Sequence, residues 1–562
     1  MTEWQPSDGI EATDELIDII THDASVAVLA SAGAGKTELL AQKASYLFYT
    51  NKCAWPKRIL SLTFKTEAQL NIKERINKRC GDKASRFDSF TFHAFSKSIV
   101  DRFKNVLPES ERPVNNYDIV FRRQDSDGST KILMSELLAL AIRILRVRED
   151  IRTMFSCSYA HVFVDEFQDT TDEQYELLQL LFQDSETKVL TVGDINQSIM
   201  LWAGARQTVF ADFLNDFSAQ RKFLVKNYRA SSEIQDVLAV VLQFVQNPDS
   251  TIQQIAQAPS NCSLHSFNDE YQEASFIANS IKETLDRGIR ASDISILTKQ
   301  QASKNTEVLR AELTRIGINN LDMTDLQDAL KEPLGQLFSL FMKAIVHPKP
   351  QVMTELFKVN LALNKIDPGD EKEEAFTTSL INFIHLTQQK ISATTTADDL
   401  LSLVLSFIHE LGMNKIKGRW KQYKSPEYFN HVWRALEIHL RNMCNQTSSL
   451  VDAVRLFSAE NAVHLMNIHK CKGLEYHTVY FIGLEDQEFW NYANQVFEDN
   501  CSIYVALSRA KNCICITTSK YRAHRLNWGH DNRDSTYGSV RPVIDLLINK
   551  CQFSAVRHTS EN

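Results

Sequence analysis

No stretch of this 562-residue chain approaches the ~20 consecutive apolar residues that cross a bilayer, and Met1-Thr2-Glu3-Trp4-Gln5 lacks the basic start of a signal peptide. A cytoplasmic location and no membrane partner are the expectations. The ten cysteines, at 53, 80, 157, 262, 444, 471, 501, 513, 515 and 551, include no CxxC pair and no Cys/His cluster with metal-ligand spacing. That argues against a zinc module and for a reducing compartment. Internal repeats and low-complexity tracts are also missing, so neither a solenoid nor a disordered tail organises the chain.

What remains is ample for folding. Apolar residues make up 43% of the chain, enough for large cores, and a plain length count predicts about three or four domains. The formal net charge is −8, so any contact with nucleic acid has to come from local basic patches rather than from the global field.

The apolar run Val26-Ala27-Val28-Leu29 reads as a buried strand and Glu38-Leu39-Leu40-Ala41-Gln42 as a helix. Between them lies Ala30-Ser31-Ala32-Gly33-Ala34-Gly35-Lys36-Thr37, a sequence suited to a phosphate-binding loop. Gly33, Ala34 and Gly35 let successive backbone N–H groups point at phosphate oxygens, and the helix N-terminus adds a favourable dipole. Lys36 is expected to hold the terminal phosphates of ATP and Thr37 to ligate Mg²⁺.

A second strand candidate, His161-Val162-Phe163-Val164, ends in Asp165-Glu166-Phe167-Gln168-Asp169. Asp165 is placed to hold Mg²⁺ through water, and Glu166 to orient and deprotonate the attacking water. A third, Lys188-Val189-Leu190-Thr191-Val192-Gly193, runs into a segment containing Gln197 and Trp202. Gln197 is long enough to touch a terminal phosphate, and Trp202 is a candidate base-stacking surface a few residues away.

With these motifs in this order, the chain resembles superfamily 1 helicases of the UvrD/Rep/PcrA type, from about residue 11 to residue 520, broken by two poorly matching insertions. By that resemblance Leu62-Thr63-Phe64 is a DNA-contact motif, with Thr63 on the backbone and Phe64 on a base, and Thr91-Phe92-His93 binds phosphate through His93. Asn227-Tyr228-Arg229 resembles the motif that stacks adenine on Tyr228 and aims Arg229 at the γ-phosphate. In Val463 to Tyr476 the resemblance gives Glu475 the ribose hydroxyl and His469 a place near the DNA track. Arg509, within Tyr504-Val505-Ala506-Leu507-Ser508-Arg509-Ala510-Lys511, resembles the arginine finger.

The chain departs from the family pattern at several points. Leu16 stands where an adenine-reading glutamine is expected, and Lys65-Thr66-Glu67 replaces a polar Thr-Asn-Lys run. Met200 replaces an aromatic and Ala203 an arginine, which removes one stacking surface and one cation from the track.

The resemblance and the strand–helix alternation, including a strand at Cys262 to Phe267, a helix near 269–286 and a strand at Ile294 to Leu297, imply an α/β fold with two RecA-like parallel-sheet domains. Each is interrupted by a mostly helical insertion. The expected division is 1–95 and 156–218 for the first domain around an insertion at 96–155. For the second it is 219–334 and 459–562, the latter with the C-terminal tail, around an insertion at 335–458. Ile132 to Leu140 is read as helical within the first insertion. In the second, which carries the acidic turn Asp367-Pro368-Gly369-Asp370-Glu371, Lys415 to Lys424 clusters five cations with Trp420 and Tyr423, either as a DNA or acidic-partner contact or as a solvated helix end.

The function implied is an ATP-dependent DNA helicase or translocase, moving 3′ to 5′ on single-stranded or partially duplex DNA, in repair or antiviral defence. No acidic-plus-lysine cluster marks a nuclease in the chain, so any cutting belongs to a partner. A second reading is a DNA-sensing subunit whose ATP turnover controls a partner nuclease; small stand-alone members of the family resemble the helicase subunit of two-gene phage-defence systems such as Gabija. An RNA helicase of the same superfamily is a third, less favoured by Asp165 to Asp169.

Overall fold

The computed structural model describes residues 4–7, 10–64, 66–323, 326–367, 369–392, 394–447, 449–523 and 536–558. Met1, Thr2, Glu3, Lys65 and Pro368 lie outside the described residues, as do the side chains of Thr66, Glu67 and Lys421. The readings made on the extreme N-terminus, on the Lys65-Thr66-Glu67 run and on Pro368 in the acidic turn therefore fall there.

The described chain alternates strand and helix. Its strands are β1 Val26–Ala30, β2 Arg58–Thr63, β3 Phe87–Thr91, β4 Asp118–Val120, β5 Lys131–Leu133, β6 Tyr159–Val164, β7 Lys188–Gly193 and β8 Gln220–Leu224. There follow β9 Cys262–Asp269, β10 Ile294–Thr298, β11 Asn320–Asp322, β12 Val463–Asn467, β13 Tyr476–Ile482, β14 Ala510–Tyr521 and β15 Ser554–Arg557. They form one sheet in the order β3-β2-β6-β7-β1-β8, another in the order β11-β12-β10-β13-β14-β9-β15, and a β4-β5 ribbon.

The ladders in both large sheets are parallel. The cause is visible in β1 and β10, whose Val-Ala-Val-Leu-Ala and Ile-Ser-Ile-Leu-Thr runs are covered by helices on both faces and bury almost every side chain. Register then positions the functional loops. Val28 of β1 pairs with Val192 of β7, and Val164 of β6 with Thr191, so the loops leaving β6, β7 and β1 emerge side by side at one sheet edge. Ligands of open parallel sheets bind at such carboxyl edges.

β8 lies beyond residue 218, where the division between the two domains was expected, yet Phe223 and Leu224 pair with Leu29 and Ala30 of β1 in the first sheet. As an edge strand with Gln220, Arg221 and Phe223 exposed, it carries no buried-strand signal in the sequence.

Each sheet is interrupted by an insertion. Between β3 and β6 lie the helices Phe92–Phe103, Glu136–Val147 and Glu149–Ser158 with the small ribbon. Ile132 and Leu133, expected to be helical, sit in β5, because Asp127 gathers the backbone N–H groups of Ser129, Thr130 and Lys131 at 2.7–2.8 Å in a tight turn that sets β5 against β4. Between β11 and β12 the chain is helical, and Phe341 stacks on Phe407 with centroids 4.1 Å apart in its core.

In the basic cluster at 415–424, Tyr423 is buried, donating to Glu332 at 2.8 Å and accepting from the Leu334 N–H at 2.9 Å. Trp420 packs against the insertion core. The cluster is thus anchored inward by its aromatics. The two insertions also meet: Lys131 pairs with Glu427 at 3.1 Å, and Phe121 stacks on His431 at 4.8 Å.

Candidate ATP and polynucleotide site

The phosphate loop follows β1, and the helix Lys36–Tyr49 begins directly after Gly35. Gly33 and Gly35 have φ of +74° and +81°, the left-handed region that L side chains adopt only with strain. Gly33 has a second constraint. A Cβ there would lie 2.3 Å from Asn227 Oδ1, and the Tyr228 N–H donates to the Gly33 carbonyl at 3.1 Å. The 227–229 segment therefore closes directly over the loop. Ala34 is buried, and Lys36 and Thr37 are half-buried on the first helical turn, where orphan N–H groups and the helix dipole favour an anion.

Across the same sheet edge, Asp165 is buried and its Oδ1 accepts from the Glu166 N–H at 2.9 Å. Glu166 has a left-handed φ of 51°, a strained conformation for a non-glycine residue of the kind that clusters at functional sites. Burial and the adjacent Glu166 charge push the Asp165 carboxyl up. Burial would raise Glu166 as well, but Lys36 and Lys472 outweigh it and hold that carboxylate down. Gln168 fixes it further, donating to Glu166 Oε2 at 2.7 Å while its own Oε1 accepts from the Asp194 N–H at 3.0 Å. Gly193 is required here, since a Cβ would meet Gln168 Oε1 at 2.3 Å.

The second sheet delivers its cations to this edge. Arg509 Nη2 donates to Gln197 Oε1 at 3.1 Å, and Gln197 Nε2 donates to Asp194 Oδ2 at 2.8 Å. Burial and nearby Arg229 pull the Arg509 guanidinium down to about 10, so it stays charged at neutral pH. Arg229 Nε donates to Glu475 Oε2 at 2.9 Å and its Nη1 to the Ser508 carbonyl at 3.1 Å. Lys511 pairs with Glu475 Oε1 at 2.6 Å. The residues assigned to the γ-phosphate and to the ribose are thus paired with one another in this structure.

Among residues assigned to the polynucleotide, Trp202 is 68% exposed and lies edge-on to His469, with ring centroids 5.6 Å apart. They come from different sheets and meet in the cleft between them. Phe64 is half-buried against Phe92, and His93 is half-buried, with burial lowering its pKa. Thr63 is fully buried, its hydroxyl 3.5 Å from the Phe90 carbonyl, so it presents no side chain to a ligand. Tyr228 is 53% exposed, with Lys226 Nζ 5.3 Å from its ring centre, and offers a stacking face. Leu16 is buried in the core that also holds Ala34 and Leu39, and offers no polar group to a base. Met200 packs on the second-sheet core, while Ala203 is exposed.

Two family models match the chain. That of the UvrD/REP helicase N-terminal domain matches residues 13–133 and 111–218, and that of the UvrD-like helicase C-terminal domain matches 223–330 and 336–521. The chain belongs to the UvrD/REP helicase family. Its two parallel sheets are the RecA-like domains of that family. Similar proteins include a probable DNA helicase II homolog of Mycoplasma genitalium, 23% identical and aligned over 87% of this chain and 82% of its own. The ATP-dependent DNA helicase PcrA of Staphylococcus aureus is 22% identical, aligned over 95% of this chain and 86% of its own.

Three further residues of the helicase complete the site and have no task in the sequence motifs: Gln168 and Asp169, which follow Glu166, and Lys472, which lies between His469 and Glu475. Its ammonium donates to Asp169 Oδ2 at 2.5 Å and to the Gln197 carbonyl at 3.2 Å. The available signal was a lysine and an acidic residue inside two motifs already assigned to facing sheets.

The residues fit a nucleoside triphosphate with Mg²⁺. Asp165 and Glu166 place two adjacent carboxylates at a mostly buried edge, a charge arrangement a divalent cation relieves, and the left-handed glycines open the loop backbone to phosphate. Thr37 and Asp165 would hold the metal. Lys36, the 33–35 backbone and Tyr228 would hold the nucleotide. No helix among the described residues is long and apolar enough to cross a membrane.

Proposed function

We propose that this helicase couples ATP hydrolysis between its two sheets to 3′-to-5′ movement on single-stranded DNA, and separates strands when a duplex meets the moving front. One observation carries the reading: Arg509, borne by the second sheet, is within hydrogen-bond reach of Gln197 at the edge of the first, beside Lys36 and Glu166. Bound Mg-ATP supplies a polyanion that both sheets can grip and a scissile γ-phosphoryl bond. Glu166 accepts the proton of the attacking water, Lys36 and Arg509 neutralise the charge that develops on the phosphoryl oxygens, and Gln197 reports that charge to Trp202 five residues on. Arg229 leaves Glu475 to join them, which frees Glu475 Oε2 for the ribose while Lys511 keeps Oε1. Loss of the γ-phosphate removes the charge that draws the two arginines in, and the sheets part.

The division into motor domains follows the sheets in this reading, with the first domain extended past β8 to Leu224. Steady-state ATP turnover with and without single-stranded DNA, together with strand displacement from a 3′-tailed duplex, tests the reading. DNA-stimulated turnover with displacement supports it, and turnover indifferent to DNA defeats it.

A second reading, in which ATP turnover on DNA controls a partner nuclease in phage defence, draws support from Met200 and Ala203. Met200 is half-buried against the second-sheet core and Ala203 carries no cation, so the track beside Trp202 has one aromatic where a stronger grip needs more. Stimulated turnover without displacement, gained only alongside a co-purifying nuclease, favours that reading.

A further inference from the structure

β8 is the last strand of the first sheet, and among the described residues no strand pairs with its outer side. The Gln220 N–H donates to the Ser25 carbonyl at 3.1 Å, and the Leu224 carbonyl accepts from the Ser31 N–H at 3.0 Å. In a parallel ladder the N–H and C=O of one residue point to the same side, and successive residues point to opposite sides. Gln220, Lys222 and Leu224 therefore turn their backbone to β1, while the backbone groups of Arg221 and Phe223 face outward. A row of open N–H and C=O groups is a template for a further strand.

The side chains on this edge add to the template. Arg221 and Phe223 share a face of the sheet with Ala27 and Leu29, their partners in β1. Phe223 is 54% exposed, and Val225, just past the strand, is 62% exposed. On the same face Leu29, Ile195, Phe210, Leu214 and Arg221 help to line a cavity of about 170 Å³. That is about the size of cavity that takes up a benzene ring.

Charge decides what can cover this edge. Lys222 pairs with Asp18 and Lys226 with Glu11, each at 2.6 Å, whereas Arg221 has no ion pair among the described residues. A second copy of β8 brings it no acidic residue, only another Arg221 and Lys222, so like charges oppose self-pairing. The complementary occupant is an extended segment that places a carboxylate against Arg221 and apolar side chains at the alternate positions that follow. We propose that the outer edge of β8 is a docking site for such a segment of a partner protein, which adds to the first sheet as a further strand and seats one apolar side chain in the cavity beside Ile195. The proposal does not depend on how the ATP site is read.

The test uses the full chain and a fluorescent peptide, blocked at both ends, with threonine on one face of the strand and glutamate, leucine and valine at alternate positions on the other. Anisotropy should show saturable binding, and bound peptide should slow amide hydrogen exchange across residues 220–225. Phe223→Pro removes an N–H that faces away from β1 and so spares the ladder of the first sheet. It should weaken the peptide about tenfold. Arg221→Glu should weaken it about tenfold as well, and should bind the same peptide with lysine in place of glutamate more tightly than the original. Absence of saturable binding, undiminished binding by Phe223→Pro, or an Arg221→Glu chain that does not distinguish the two peptides would each overturn the proposal. So would a wild-type chain that is dimeric by light scattering and monomeric as Phe223→Pro, because a second copy then fills the edge. If Phe223→Pro does not fold, the exchange of charge between Arg221→Glu and the two peptides decides alone.

Discussion

Arg509 and Gln197 stand 312 residues apart in the chain and meet across two sheets, Nη2 to Oε1 at 3.1 Å. The contact converts a phosphate site on one domain into a composite site that both domains must complete. Arg509→Ala is expected to bind ATP with little change but to lose about a thousandfold or more in turnover, the range found for arginine fingers. Binding of a fluorescent nucleotide beside single-turnover hydrolysis separates the two effects.

Lys36 is the lysine at the junction of the loop after β1 and the helix Lys36–Tyr49, and under the proposed function Lys36→Ala removes the positive charge that would neutralise the terminal phosphates. Both basal and DNA-stimulated ATP turnover should fall below a tenth of the wild-type rates, on the order of a loss of more than 1.4 kcal/mol. Turnover near the wild-type rate would place the phosphates elsewhere.

Gly33 faces two independent demands, a φ of +74° and the closeness of Asn227 Oδ1. Gly33→Ala should therefore weaken nucleotide binding, with about 1 kcal/mol from the backbone alone and more from displacing the 227–229 segment. Adding Asn227→Ala removes the contact with Asn227 Oδ1 but leaves Arg229 Cβ 2.9 Å from the new methyl and the backbone demand in place, so partial recovery of nucleotide affinity in the double variant is the expected titration result.

Trp202 is the exposed ring at the cleft, and each stacked base is worth about 1–3 kcal/mol. Trp202→Ala should weaken oligo-dT binding about tenfold or more, measured by fluorescence anisotropy at fixed salt.

His161 and His439 are both buried, and burial lowers each from the usual 6.5 to about 4. Each is neutral in the folded chain, while the unfolded chain takes up a proton on each as pH falls below 6.5. Their contribution to stability is therefore whole above about pH 6.5 and lost progressively down to about pH 4. Urea midpoints should fall across that window, and His439→Gln should show a shallower fall.

Much of this was legible in the sequence because it depends on short local patterns. β7 was readable to the residue, and β1 and β6 to within two, because parallel strands buried on both faces spell unbroken apolar runs. β8 was not, since its polar Gln220-Arg221-Lys222 start reflects an edge position that only the assembled sheet reveals. Ile132 and Leu133 were apolar enough for a helix, and the Asp127 turn decided otherwise. At the site, local motifs named Gly33, Asp165 and Glu166 as candidates and the family resemblance named Arg509, but neither reveals that Thr63 is buried or that Arg229 and Glu475 pair. The contact of Lys472 with Asp169 spans 303 residues and joins two motifs that only the assembled sheets bring face to face.

The most direct test of ATP-driven movement is the time the chain takes to reach a fluorophore at the 5′ end of oligo-dT strands of increasing length after mixing with Mg-ATP. The arrival time should grow linearly with length, and arrival should require ATP and vanish in Arg509→Ala. Arrival that is independent of length, or that occurs equally without ATP, would contradict it.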